Sequence, residues 1–167
     1  MTADTSLSSC AKAATAAEAR YRIDAPVESR RARVIALDGP AAEVLRSVAT
    51  LEWASARFFV CDTVGMNGVV TADDVLLRGI DGSPAVLSTE LEGVHVVVMV
   101  ATEDSGADGA YAVGKACWER AVMTAGLVLG DGSRTLAAVA ALRPHARVLL
   151  PTADEGDLVE LLTALRV

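Results

Sequence analysis

The stretch Thr102-Glu-Asp-Ser-Gly-Ala-Asp-Gly109 concentrates chemical capacity, with the carboxylates of Glu103, Asp104 and Asp108 beside the small residues Ser105, Gly106 and Gly109. Two kinds of chemistry suit its carboxylates. Asp104 and Asp108 can hold Mg²⁺, a cation that takes oxygen ligands and usually shares them with substrate phosphates. Without a metal, the same acids can cap the helix that follows, because negative charge is favourable at a helix N-terminus. Gly106 and Gly109, with the Thr102 and Ser105 hydroxyls, could also cradle a phosphate. The carboxylates oppose that use, since like charges at short range repel.

Other candidates stand where apolar runs end, at Asp38-Gly39-Pro40 and at Asp62-Thr63. Gly39, Asp62 and Thr63 therefore join the possible nucleotide contacts. Neither GxGxxG nor GxxxxGK[ST] occurs, which removes two strong nucleotide signatures. A receiver-like phosphoacceptor site built on Asp38 and Asp62 lacks a lysine after the last apolar run, where Pro151-Thr152 stands. Cys61 beside Asp62 reads as a buried strand cysteine, because an adjacent carboxylate raises a thiol pKa. Cys10, Cys61 and Cys117 follow no ligand spacing and His95 and His145 stand alone, so neither a zinc site nor a disulfide framework is suggested.

A formal charge of −7 argues against a nucleic-acid binder, which needs clustered cations to displace counterions. The basic cluster Arg30, Arg31 and Arg33, with Arg20 and Arg22 before it, is interleaved with Glu18, Asp24 and Glu28. It reads as a solvated strip, or as a docking strip for a protein partner. No apolar run is long enough to span a membrane and no secretory h-region opens the chain, so a cytoplasmic location is expected.

Alternating apolar runs and amphipathic stretches supply the scaffold. Residues 1–30, rich in Ala, Ser and Thr, read as a mobile or loosely docked extension, and 31–167 as a single α/β domain. Strands are expected at 33–38, 57–61, 94–101, 122–129 and 147–150, the third an uninterrupted β-branched run that needs cover on both faces. Helices are expected from Gly39 to about Trp53, from Ser83-Pro84 to Glu92, from Ala110 to Ala121, from Ser133 to Arg143, and after a Thr152–Glu155 capping box. Right-handed crossovers then give a doubly wound, mainly parallel five-stranded Rossmann-like sheet of order 2-1-3-4-5, helices on both faces. Ligands in such sheets bind beyond the carboxyl ends of the strands, where the winding reverses.

Leu91 to Ala110, continued by Val122 to Leu129, resembles the nucleotide domain of FtsZ, the bacterial tubulin homologue, in its order of strand, phosphate loop, helix and strand. Arg57 to Thr63 resembles that family's second strand, and Leu76-Leu-Arg-Gly79 is similar to a later loop. The resemblance implies a nucleotide, GTP first, at the loop edge. The family's dense glycine-threonine loop is reduced here to Gly106 and Gly109, and its first glycine cluster to Gly39.

The expected function is a non-catalytic Rossmann-like module acting through protein–protein interaction or self-assembly, a degenerate FtsZ-like domain with a protein partner or homo-oligomer. Two alternatives stay open. One is a nucleotide-binding or hydrolysing GTPase-like protein, using Gly39, Asp62, Thr63, Thr102, Ser105, Gly106 and Gly109 with Mg²⁺ on Asp104 or Asp108. The other is a subunit of a larger enzyme completed by another chain.

Overall fold

A computed structural model describes residues 28–62 and 71–167. Its strands are β1 (Ala32–Ala36), β2 (Ala56–Cys61), β3 (Leu76–Gly79), β4 (Pro84–Val86), β5 (Val96–Ala101), β6 (Met123–Leu129) and β7 (Val148–Ala153). The helices are α1 (Gly39–Val48), α2 (Leu87–Glu90), α3 (Ala107–Glu119), α4 (Leu136–Leu142) and α5 (Glu155–Leu165). They form an α/β fold around one seven-stranded sheet of order β4-β3-β2-β1-β5-β6-β7.

The expectation of five strands is corrected by a hairpin. Neighbours from β2 to β7 are parallel, but β3 runs antiparallel to β2 and β4 antiparallel to β3. Residues 76–79 alternate exposed and buried, the period of a half-covered strand. Gly82, at φ 89°, makes the turn, and Asp81 accepts from both the amide and the hydroxyl of Ser83 to fix it. Pro84 therefore opens an edge strand, where its missing N–H costs no ladder bond, and does not open a helix. The helix expected up to Glu92 shrinks to α2.

β5 lies inside the sheet, between β1 and β6, with all six residues buried, as its β-branched run requires. One core, with Ile35, Phe59, Met99, Val113 and Leu142, lies between the sheet and helices α2, α3 and α4. The opposite core gathers Val34, Leu45, Val98, Leu127 and Leu158 beneath α1 and α5. Helices thus cover both faces. α1 buries Ala41, Ala42, Leu45 and Val48 and stops at Val48, short of the expected Trp53. Leu51 falls beyond it, 48% exposed, while the Trp53 indole donates to the Val48 carbonyl and closes the helix end.

The last strand is longer than expected because β7 lies at the sheet edge and runs through Pro151 to Ala153. That moves the capping box two residues on. Asp154 accepts from the Asp157 amide and Asp157 from the Asp154 amide, both at 2.9 Å, in place of Thr152 and Glu155. Where the described chain begins, the Arg30 amide donates to the Arg166 carbonyl at 2.9 Å. The Arg31 amide donates to Nδ1 of His95 at 3.0 Å. Of the extension expected at 1–30, only Glu28 to Arg30 falls within the described residues.

Candidate functional site

The winding reverses between the carboxyl ends of β1 and β5, and Asp38 fills the point between them. Asp38 follows β1 as the N-cap of α1 and is 8% exposed. Its Oδ1 accepts from the Ala41 amide at 2.8 Å and from the Thr102 hydroxyl at 2.5 Å. Its Oδ2 accepts from the Thr102 amide at 2.6 Å and the Glu103 amide at 3.0 Å. An anion bound here would need those same amides at a helix start and a strand end. The chain's own carboxylate already has them.

The rest of the loop is committed in the same way. Asp104 Oδ1 accepts from the amides of Ala137 and Ala138, at 2.7 and 3.1 Å, and so caps α4 from a different segment. α4 needs that cap, because Thr135 at its own N-cap position makes no side-chain capping bond. In return the Asp104 amide donates to the Arg134 carbonyl at 3.0 Å. Capping, one of the two chemistries expected of these acids, is thus present, directed at α4 and not at the helix that follows the loop. Asp108 lies in the first turn of that following helix, α3, where its charge suits the dipole. The Ser105 hydroxyl reaches Glu103 at 3.5 Å.

The two loop glycines serve close packing. A Cβ on Gly106 would stand 2.8 Å from Leu37 Cβ and 3.3 Å from the Leu37 carbonyl oxygen. One on Gly109 would stand 3.3 Å from Cys61 Sγ. The start of α3 is therefore pressed onto the ends of β1 and β2. Gly39 is different, since a Cβ there meets nothing within 4 Å. Asp62 pairs with Arg78 of β3 at 2.6 Å, and Thr63 lies outside the described residues. Among the described residues, no three His, Cys, Asp or Glu side chains come together in a way that could hold a metal ion.

What remains open at this edge is a cleft of about 330 Å³ between Pro40, Thr102, Glu103 and the loop Gly130 to Thr135. Among the described residues, two acids, Glu103 and Asp131, and one cation, Arg134, line it. Asp131 is held below the usual carboxylate range by the hydroxyl and amide of Ser133.

Two features away from this edge had no sequence signal strong enough to find them. Glu90, 7% exposed, accepts from Arg33 Nε at 2.8 Å and from Arg57 Nη1 at 2.8 and 2.9 Å. Arg33 and Arg57 are register partners on β1 and β2, so one carboxylate serves two adjacent cations. Burial lowers the Arg33 pKa, and the bond and charge of Glu90 oppose the shift. The second feature is His145, whose ring meets Tyr111 edge-on at 5.6 Å and whose Nε2 is buried without a hydrogen-bond partner. The Cys117 thiol is pushed up to about 12 by desolvation, which leaves it unreactive at neutral pH.

No known protein family, curated protein or solved structure matches this chain. No helix among the described residues is long and apolar enough to cross a membrane.

Proposed function

We propose that the chain is a non-catalytic Rossmann-like module of the cytoplasm that works by holding protein partners or further copies of itself. The supporting observation is the Asp38 carboxylate. It takes the helix-start and strand-end amides that a nucleotide phosphate would use, and is itself the anion at that point. Expelling it would leave a carboxylate beside the incoming phosphate. Descent from an FtsZ-like nucleotide domain fits the order of strand, loop, helix and strand across 94–129, with Gly106 and Gly109 kept for packing.

The test is a thermal-shift screen of the full chain against GTP, GDP, ATP and NAD, with and without Mg²⁺, run beside sedimentation velocity over a concentration series. A ligand that binds only the folded state raises its stability. We expect no shift with any nucleotide. Several degrees with one Mg²⁺-nucleotide, lost in Asp104→Ala, would replace this reading with a GTPase-like one.

A further inference from the structure

Two adjoining clefts run along the opposite edge of the sheet, where the chain leads into β1, β5, β6 and β7. One, of about 580 Å³, is lined by Trp118, His145 and Arg147 among others. Its neighbour, of about 500 Å³, is lined by Glu28, Arg30 and Val94, and His95, Ala121 and Met123 line both. Trp118 stands in the last turn of α3 with 75% of its area exposed. An indole left in water forgoes the stabilisation that covering its large apolar face would bring.

The backbone beside Trp118 is unusual. Ala121 has φ 54°, a left-handed conformation that non-glycine residues seldom adopt and that surrounding structure must enforce. The Ala121 amide donates to the Trp118 carbonyl and the Val122 amide to the Cys117 carbonyl. This tight reversal lets Trp118 and Met123 line one groove from α3 and β6.

The groove also departs from the charge of the chain. The whole sequence carries −7, yet among the described residues the groove's lining sets Arg30 and Arg147 against Glu28 as its one acid. The Arg31 amide donates to His95, which lines both clefts, while the Arg31 guanidinium lies against Gly93. Arg120 and Arg143 are exposed and adjoin the lining residues Ala121 and Pro144 in sequence. Glu119 is answered by Lys115 at 3.8 Å.

We propose that this groove docks an acidic, extended segment of a partner protein. An apolar side chain of that segment sits against Trp118 and Met123, and its carboxylates meet Arg30 and Arg147. The inference rests on the reading of the chain as an interaction module and supplies the surface. The chain's own residues 1–27 match the groove poorly, because Asp4, Glu18 and Asp24 are balanced by Lys12, Arg20 and Arg22. Nucleic acid matches poorly as well, since few cations are present and apolar lining separates them, where a phosphate backbone calls for a continuous basic track.

The experiment is fluorescence anisotropy on the full chain. The probes are a short labelled peptide of Asp and Glu carrying a central Leu-Phe pair, the same peptide without the pair, a Lys-rich counterpart and a single-stranded oligonucleotide. The acidic Leu-Phe peptide should bind best, weaken as salt is raised, and lose about tenfold or more in affinity against Trp118→Ala or Arg147→Glu. Trp118 and Arg147 are exposed, so both variants should melt like the parent protein, which thermal denaturation checks. Absence of binding at about 1 mM peptide, equal binding to both variants, or preference for the oligonucleotide would overturn the proposal. So would sedimentation showing that the two substitutions abolish self-association with which the peptide does not compete. A null peptide result with no nucleotide-induced shift removes the groove and leaves the interaction module standing. A nucleotide-induced shift instead removes the module reading, whatever the peptide does.

Discussion

The Asp104 carboxylate lies 2.7 Å from the Ala137 amide, a contact across 33 residues in which an acid of one loop terminates the helix of another. A helix of seven residues is marginal without help, and the bond supplies it with the cap its own sequence lacks. Asp104→Ala should cost about 1–2 kcal/mol in urea denaturation, with Asp104→Asn recovering much of the loss. Mg²⁺ should leave the melting temperature of the parent protein unchanged. A variant that kept full stability but lost a Mg²⁺ effect would show that the carboxylate serves a metal.

Asp38 should be the more sensitive position. Asp38→Ala leaves three amides and a hydroxyl without their acceptor in a buried site, at a cost of about 2–4 kcal/mol. The emptied cradle should then take a small anion. Inorganic phosphate or sulfate should raise the melting temperature of this variant by more than it raises that of the parent protein. Equal shifts would mean that the amides close up, or hydrate, once the carboxylate is gone.

The glycines can be sorted by substitution. Gly106→Ala forces a Cβ against Leu37 and its backbone and should destabilise by about 1–3 kcal/mol. Gly39→Ala meets open space at the start of α1, and should be neutral or stabilise by up to about 1 kcal/mol through the unfolded chain. A nucleotide cradle would make the opposite demand, with Gly39 intolerant because a phosphate approaches its backbone. Chemical denaturation of both variants checks the packing demand. Melting of Gly39→Ala beside the parent protein with Mg²⁺-GTP checks the cradle, which would show a nucleotide shift in the parent that the variant loses.

Acid should weaken the fold through His145. Desolvation holds its folded pKa below the ordinary value of about 6.5, so the unfolded chain binds the proton more readily. Stability is then fully present above about pH 6.5 and falls as the pH drops from there toward the lowered folded value. Melting temperatures measured from neutral to mildly acidic pH should decline less steeply for His145→Gln than for the parent protein. Parallel curves would locate the acid sensitivity elsewhere.

The strands that depend on local composition were legible in the sequence. Val96 to Ala101 is apolar throughout and could only be a central strand, and Val44, Leu45 and Val48 marked α1 by their spacing. The β3–β4 hairpin was not legible, because four residues at period two show only two positions per face and the flanking glycines read as interruptions. Pro84 misled for a physical reason, since an edge strand and a first helical turn tolerate its missing N–H equally. In the loop, the residue types were visible and their partners were not. Asp38 meets Thr102 and Glu103 from 64 and 65 positions away, and nothing local distinguishes a carboxylate that binds a ligand from one that replaces it.

The hydrogen bond from the Arg30 amide to the Arg166 carbonyl fastens the segment that leads into β1 to the end of α5 through the backbone. A break at Gly82, on the β3–β4 edge hairpin, would spare that tie and leave every parallel strand pair intact. An insertion placed there would sit on the β3–β4 side of the sheet, leaving the Trp118 groove clear.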